Sequence, residues 1–226
     1  MTGDLVLVLH GGAGRASVDG LVPHLEGTHR VIAPTHPGFD GTEHLASVAD
    51  LARSCLDMLD GPAAVVGVSF GGWVAAEMAV ADRARRIARL VLIDAIGPDI
   101  PGHTVTMPAG RGPGPDSGAM AALQAYTGPD MRDPALLDRV GHLDIPALLV
   151  WGENDTVVSP DFGRAYAAAF RDARFELIPG AGHLPMREAP ERTYAALDVF
   201  LSEDHRRTSA TAVDRAKFGS ATGRPK

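Results

Sequence analysis

The segment VVGVSFGGWVAAEMA, Val65 to Ala79, places a serine between glycines where an apolar run ends and an alanine-rich run begins. Its centre matches the pattern G-x-S-x-G, in which a serine lies on a tight turn from a strand to a helix. Such a turn strains the serine backbone, and the flanking glycines remove side chains that would collide there. Because the chain has 26 glycines, the segment alone leaves two readings of Ser69 open: a nucleophile, or a small polar residue of a structural bend.

Six short runs along the chain have the composition of strands, and most are continuously apolar. This pattern is typical of a parallel sheet that is covered on both faces, and helical patterns lie between most of the runs. We therefore predict an α/β fold with a doubly wound parallel sheet of about six strands. The runs are LVLVLH from Leu5, HRVIAP from His29, AAVVGV from Ala63, RLVLIDA from Arg89, IPALLVWG from Ile145 and RFELIPG from Arg174.

Length and charge indicate one globular domain, residues 1–204, followed by a flexible basic tail, residues 205–226. The net charge of -7 argues against a nucleic-acid partner, and the early aliphatic run is too short to span a membrane. Cys55 is the only cysteine and cannot form an internal disulfide, which favours a cytoplasmic location. No Cys or His pair stands at ligand spacing, so we expect no metal site.

One connection, from about residue 97 to residue 143, is much longer than the others. Its first half is rich in Gly and Pro, whereas its second half could form one or two short helices. Connections of this length in a compact domain are usually functional or disordered. We interpret it as a short lid over one end of the sheet, with a passive surface excursion as the alternative.

Polar residues follow the ends of all six predicted strands, where the ligand crevice of an open parallel sheet lies. A serine, two carboxylates and several histidines would meet at this edge, and nucleophilic catalysis by serine needs a hydroxyl, an imidazole and a carboxylate. In chain order these residues are His10 with Gly11 and Gly12, His36, Ser69, Asp94, Asp155 and His183.

Four motifs make the chain resemble the α/β-hydrolase family over most of Leu5 to Leu201. They are HGG at 10–12, GVSFGG at 67–72, WGENDTVVSP at 151–160 and PGAGHLPMREAPE at 179–191, in family order. Relatives begin with two further antiparallel strands, but only Met1 to Asp4 precede the first run here, so we expect those strands to be absent. HRVIAP would then lie at a sheet edge, where a second subunit or the tail is expected to cover it.

The resemblance implies Ser69 as nucleophile, His183 as general base and then acid, and Asp155 as the orienting carboxylate. It further implies an oxyanion hole formed by the backbone amides of Gly12 and Phe70. Asp94 is the competing acid, because some family members use that position, but we favour Asp155 because its motif matches more fully. His10 is interpreted as holding its loop by hydrogen bonds.

The short lid implies a small or partly open substrate pocket. His36 stands beside the cleft, with substrate contact and a structural role both open. The other residues expected to line the pocket are apolar, although several could equally be ordinary core: Phe39, Phe70, Trp73, Met107, Met120, Leu123, Tyr126, Leu184 and Met186.

The resemblance implies a cofactor-free serine hydrolase that cleaves a small ester, thioester or lactone through an acyl-enzyme. Carbon-carbon bond hydrolysis of the meta-cleavage type is an alternative, weakened because no tryptophan follows the GH of GHLPMREAP. An acyltransferase, or a binding protein that has lost its chemistry, also remains open, although the complete set of triad residues argues against the latter.

Overall fold

The structure is a computed structural model that describes residues 4–107 and 117–203. The predicted tail, 205–226, and part of the predicted lid, 108–116, lie outside the described residues. The strands are β1 Leu5–Leu9, β2 Arg30–Ile32, β3 Ala63–Val68, β4 Ile87–Ile93, β5 Gly97–Pro98, β6 Arg132–Asp133, β7 Ala147–Gly152 and β8 Ala173–Ile178. The helices are α1 Leu21–Glu26, α2 Val48–Leu56, α3 Phe70–Ala81, α4 Ser117–Thr127, α5 Leu136–Val140, α6 Pro160–Ala169, α7 Pro185–Glu188 and α8 Pro190–Ser202.

The central sheet has six strands in the order β2-β1-β3-β4-β7-β8, and all of its pairings are parallel. The six apolar runs of the sequence supply these six strands, which confirms the predicted fold class. β2 lies at one edge, as predicted, and is only three residues long. A second subunit at this edge stays a prediction.

Alternating side chains of each strand enter two separate apolar layers. On β1, Leu7 and Leu9 pack into the layer that includes α2, α3 and α6, whereas Val6 and Val8 face α1 and α8 on the other side. Because both faces are covered, a strand gains from apolar residues at every position. This explains why the runs read as continuously apolar.

The chain leaves β1 toward β2 on one side and returns to β3 on the other. A reversal of this kind separates the loops at the carboxyl ends of the strands and opens a crevice between them. The loops after β1 and β3 therefore meet at this point, which positions HGG beside the Ser69 turn.

The predicted lid contains α4, α5 and the two-residue strands β5 and β6, which pair with each other. α4 lies over the loop after β1, since a Cβ atom added at Gly12 would lie 2.6 Å from the Leu123 Cδ2 atom. Helix α4 therefore limits the space above this loop. Among the described helices, none is long and apolar enough to cross a bilayer.

Candidate active site

Ser69 lies on the turn between β3 and α3 with a positive φ of 52°. Residues with side chains rarely adopt this conformation, and they do so mainly at functional sites. The neighbouring glycines are required sterically: a Cβ at Gly67 would lie 2.3 Å from the Gly71 carbonyl oxygen, and one at Gly71 would lie 2.2 Å from the Leu9 oxygen. The close approach of three backbone segments thus explains the glycine spacing around Ser69.

Ser69, His183 and Asp155 form a continuous chain of hydrogen bonds. The His183 Nδ1 atom lies 2.8 Å from Asp155 Oδ2, and His183 Nε2 lies 2.9 Å from Ser69 Oγ. An ionised carboxylate only accepts hydrogen bonds, so Nδ1 carries the imidazole proton and Nε2 is free to accept the serine proton. The Asp155 side chain is fully buried, while 21% of the His183 side chain is exposed. A ligand can therefore approach the imidazole from solvent.

The Asp155 carboxylate is held in place by its own loop. Its Oδ1 atom accepts hydrogen bonds from the backbone amides of Val157, at 2.7 Å, and Val158, at 3.2 Å. These bonds stabilise the charged form and direct Oδ2 toward His183. The turn after β7 thus fixes the orientation of this group.

Asp94, the alternative acid of the sequence analysis, lies beside this chain and has no hydrogen bond to His183 in the described structure. It is fully buried after β4, with a positive φ of 44°, and its Oδ1 accepts a hydrogen bond of 2.9 Å from the Gly152 amide. The pKa of Asp94 is raised well above its ordinary value. Burial is the larger cause, and the nearby charge of Asp155 is the second. His183 therefore forms its carboxylate hydrogen bond with Asp155 and not with Asp94.

The loop after β1 is held by side chains on both sides. The buried His10 donates from Nδ1 to the Gly11 carbonyl at 2.8 Å, and its Nε2 accepts the His36 amide at 2.9 Å. The Gly11 amide donates to Ser17 Oγ at 2.8 Å, and the Ser17 hydroxyl donates to the Gly14 carbonyl at 2.8 Å. These contacts agree with the interpretation of His10 as a residue that holds its loop.

The amides of Gly12 and Phe70 both lie near Ser69. Phe70 directly follows Ser69, and the loop of Gly12 packs against it, because a Cβ at Gly11 would lie 3.3 Å from the Ser69 Cβ. Within residues 4–107 and 117–203, neither amide donates a hydrogen bond to a protein acceptor. Both are therefore available to a ligand.

Four of the predicted site residues form one aromatic cluster: His36, Phe39, Phe70 and Tyr126. The ring of Phe39 stacks near Phe70 and Tyr126, with centroid distances of 5.9 Å and 6.5 Å, and the His36 ring lies 6.0 Å from each phenylalanine. Tyr126 joins α4 to the loop after β2, because its hydroxyl donates to Pro37 and accepts from the Leu45 amide, both at 3.0 Å. The cluster thus connects the lid with the turn of Ser69.

His36 is buried among these rings, and its two ring nitrogens have no hydrogen-bond partner among the described residues. Burial, with a smaller contribution from the adjacent His10, lowers the pKa of His36 to about 3. Burial also lowers the pKa of His10. Both imidazoles are therefore neutral at pH 7.

The remaining predicted pocket residues occupy different environments. Trp73 is buried in the core on α3, where its ring lies against Gly97. Leu184 is half-buried next to His183, and Met107 is exposed at 38% immediately before the part of the lid outside the described residues. The described structure does not bring these three together into one wall.

Sequence reasoning missed Glu188, which supports the loop of His183. Its carboxylate accepts hydrogen bonds from the amides of Gly182, at 2.7 Å, and Leu184, at 3.2 Å. The Glu188 side chain thus holds the backbone of Gly182 and Leu184, the residues on both sides of His183. No sequence signal marked this residue, because its partners are backbone amides. Ser17, which holds the loop after β1, was also missed.

A comparison with protein-family models assigns residues 5–197 to one family, described as the alpha/beta hydrolase family. The chain belongs to the alpha/beta hydrolase family. This confirms the family resemblance drawn from the four motifs and supports a hydrolase enzyme. No curated protein sequence matches the chain significantly.

Solved structures share this fold over most of their length. A thermophilic esterase from Thermogutta terrifontis is 25% identical, with a TM-score of 0.71, and the match covers 88% of this chain and 90% of the esterase. The esterase RhEst1 from Rhodococcus is 22% identical, with a TM-score of 0.72 and coverages of 89% and 91%. A meta-cleavage product hydrolase from Pseudomonas fluorescens is 18% identical, with a TM-score of 0.71 and coverages of 88% and 90%. At 22% and 18% identity, the last two matches show only that the fold is shared.

Proposed function

We propose that this hydrolase cleaves a small carboxylic ester, thioester or lactone through an acyl-enzyme on Ser69. The observation that carries the proposal is the hydrogen-bond chain from Ser69 Oγ through both nitrogens of His183 to Asp155, at 2.9 Å and 2.8 Å. A hydroxyl, an imidazole and a carboxylate in this order are the three groups that serine nucleophiles need. The strained turn that presents Ser69 and the esterase from Thermogutta terrifontis among its relatives support the same chemistry.

In the acylation step, Ser69 Oγ attacks the carbonyl carbon of the substrate while its proton passes to His183 Nε2. The tetrahedral intermediate then collapses, and the leaving alcohol or thiol takes that proton from Nε2. A water molecule then attacks the acyl-enzyme and gives a proton to Nε2. The second tetrahedral intermediate collapses, the Oγ–acyl bond breaks, Ser69 Oγ takes the proton from Nε2 and the acid leaves. Asp155 keeps Nδ1 protonated and stabilises the imidazolium in each step.

The oxyanion of each tetrahedral intermediate would accept hydrogen bonds from the Gly12 and Phe70 amides. Both are without a protein acceptor in the described structure, and Phe70 starts helix α3, whose N-terminal dipole favours a negative charge. One donor of this kind contributes about 3 kcal/mol to the transition state. Phe70 and Gly12 would therefore account for a substantial part of the rate.

The space near these amides favours a small acyl group. Leu123 of α4 lies over Gly12, and the cluster of His36, Phe39, Phe70 and Tyr126 lies beside it. We propose that these residues, with Trp73, Met107 and Leu184 at the periphery, bound the substrate. Short acyl chains should then react faster than long ones.

Steady-state assays with 4-nitrophenyl esters of increasing acyl length, together with thioesters and lactones, test this function. We expect turnover of acetate or butyrate esters, a decline for long chains, and loss of turnover in Ser69→Ala. Ser202→Ala is the matched control, because this exposed serine lies at the end of α8, remote from His183. Turnover that persists in Ser69→Ala would contradict the proposal.

The same panel separates hydrolysis of esters from related reactions of the fold. A protein that is inert toward esters, thioesters and lactones but cleaves a meta-cleavage product would be a carbon-carbon bond hydrolase. Transfer of the acyl group to an added alcohol in preference to water would indicate an acyltransferase. Either result would replace the ester hydrolase proposed here.

A further inference from the structure

The second carboxyl group of the site, Asp94, has one oxygen whose role is not explained by the triad. Its Oδ1 atom accepts from the Gly152 amide at 2.9 Å, but Oδ2 is buried and receives no hydrogen bond from any donor in the described residues. A buried polar atom without a partner is costly, so such atoms in native proteins usually have an explanation. Here the nearest polar group is another carboxyl.

Asp155 and Asp94 belong to one compact cluster. Oxygens of the two carboxyl groups and a ring nitrogen of His183 lie within 4.8 Å of one another. The Asp155 carboxylate accepts three hydrogen bonds, from Val157 and Val158 at Oδ1 and from His183 at Oδ2, so one of its roughly four acceptor positions is left. Two ionised carboxylates this close would repel each other, and a proton held between the two groups removes that repulsion.

The groups that face Asp94 determine which carboxyl holds this proton. Asp155, on the loop after β7, is negative, as is Glu188 on α7, and His183 is already paired with Asp155. The charged groups that act most strongly on the Asp94 carboxyl are Asp155 and Glu188, and both raise its pKa. Asp155 has two amide donors, whereas Asp94 has one and is fully buried. These contacts favour the proton on Asp94.

We propose that Asp94 is a positioning residue that remains protonated during turnover and donates a hydrogen bond from Oδ2 to the Asp155 carboxylate. This bond ties the Asp155 carboxylate, which accepts from His183, to the loop after β4. The inference rests on the proposed function, since it assigns Asp94 a part in orienting the His183 imidazole. The raised pKa of Asp94 agrees with it.

The backbone at Asp94 identifies the most informative substitutions. Its φ of 44° lies in the left-handed region, which asparagine and glycine tolerate better than other residues. Asp94→Asn keeps an oxygen for the Gly152 amide and supplies an NH₂ group as donor to Asp155. Asp94→Gly removes both contacts without adding backbone strain. Because both variants can keep the backbone conformation, a difference in activity between them reports on the lost side-chain contacts.

The pH dependence of kcat/KM with 4-nitrophenyl acetate tests the protonation state. If Asp94 is neutral, Asp94→Asn changes no charge, and the midpoint of the acidic limb should coincide with that of the wild type. If Asp94 were ionised, the substitution would remove a negative charge beside His183⁺ and move that midpoint to lower pH by about one unit or more. Such a downward shift would overturn the proposal. Asp161→Asn, an exposed aspartate on α6, is the matched control.

The two variants also test positioning directly. Asp94→Gly should lower kcat by about tenfold, equivalent to ~1.4 kcal/mol, with little change in KM, and Asp94→Asn should restore part of this loss. Equal kcat values in Asp94→Gly and the wild type would contradict a positioning role. If Asp94 had only a structural role, Asp94→Gly would be less stable but would not show a lower kcat with an unchanged KM.

Infrared difference spectroscopy gives a readout that does not depend on activity. The wild type near pH 7 should show the C=O stretch of a protonated carboxyl group that is missing in Asp94→Asn; no such band in the wild type would overturn the proposal. Labelling of Ser69 by a fluorophosphonate tests its role as nucleophile separately from the protonation of Asp94. Unlabelled wild type with the band present would refute the catalytic assignment alone, whereas labelled wild type without the band would refute the protonated Asp94.

Discussion

At the scale of single residues, two buried carboxyl groups lie behind His183 and take different parts because their neighbours differ. Asp155 receives two amide hydrogen bonds and the imidazole N–H, all of which stabilise a negative charge. Asp94 receives only the Gly152 amide and lies beside Asp155, so its neutral form is favoured. Pairs of carboxyl groups whose environments favour different protonation states are common at catalytic sites.

His36 predicts a pH-dependent loss of stability. Its pKa is about 3 in the folded protein and 6.5 when unperturbed, so between these values the unfolded chain holds one more proton than the folded chain. The unfolding free energy therefore falls as the pH falls, by about 2 kcal/mol from this group between pH 6.5 and pH 4.5. His36→Leu should lack this component, and urea unfolding at the two pH values measures it.

The exposed His142 provides the control for this experiment, as His142→Gln should keep the pH dependence of the wild type. If His36→Leu and the wild type lost the same free energy between pH 6.5 and pH 4.5, the buried neutral state of His36 would be contradicted.

The sequence was sufficient to nominate Ser69, Asp155 and His183, because each stands in a recognisable loop after a strand. It could not reveal that Asp94 lies against Asp155, since this contact depends on how closely the ends of β4 and β7 approach. Glu188 and Ser17 were missed for a related reason: their hydrogen-bond partners are backbone groups, which leave no pattern in the sequence.

At the scale of elements, the turn from β3 to α3 is determined by close backbone contacts. Gly71→Ala should be severely destabilising, by more than about 4 kcal/mol, because its Cβ would lie 2.2 Å from the backbone oxygen of Leu9, which has little freedom to move. Gly118→Ala on α4 is the matched control. Apart from its chain neighbours and the backbone of α4, no atom of the described residues lies within 4 Å of its added Cβ, so it should be neutral or stabilise α4 by up to about 1 kcal/mol.

Soluble yield and thermal unfolding of the two glycine variants measure this difference. We expect Gly71→Ala to be insoluble or to unfold at a much lower temperature, while Gly118→Ala behaves like the wild type. Equal melting temperatures would show that the turn can adapt and that steric closeness does not explain the glycine.

The main strands and long helices could be predicted because they are long and strongly patterned. Helix α1 was not singled out, since it has only six residues and contains Pro23, which weakens its helical pattern. Strands β5 and β6 have two residues each and owe their pairing to the folded chain, so no local signal marks them. Short elements that depend on tertiary contacts are therefore the part of the fold that sequence reasoning misses.

At the scale of the whole molecule, an ion-pair cluster joins the lid to the core. Arg139 of α5 donates two hydrogen bonds of 2.7 Å to the buried Glu77 of α3 and also contacts Asp133 of β6. Arg139→Met should cost about 3 kcal/mol, the low end for breaking a buried pair, because a third of the Arg139 side chain is exposed. The loss comes mainly from leaving the Glu77 charge unpaired.

The double variant Arg139→Met/Glu77→Gln tests this reason, and urea unfolding of the four proteins in the cycle measures it. Since the unpaired charge is gone, the double variant should be more stable than Arg139→Met alone. Additive losses from the two single substitutions would indicate that the pair does not act as a unit.

The central claim, that Ser69 is a nucleophile activated by His183, is tested most directly by mass spectrometry after treatment with a fluorophosphonate. We expect one adduct per chain, located on the peptide that contains Ser69, no adduct in Ser69→Ala, and much slower labelling in His183→Ala. An adduct on another residue, or unchanged labelling of Ser69→Ala, would contradict it.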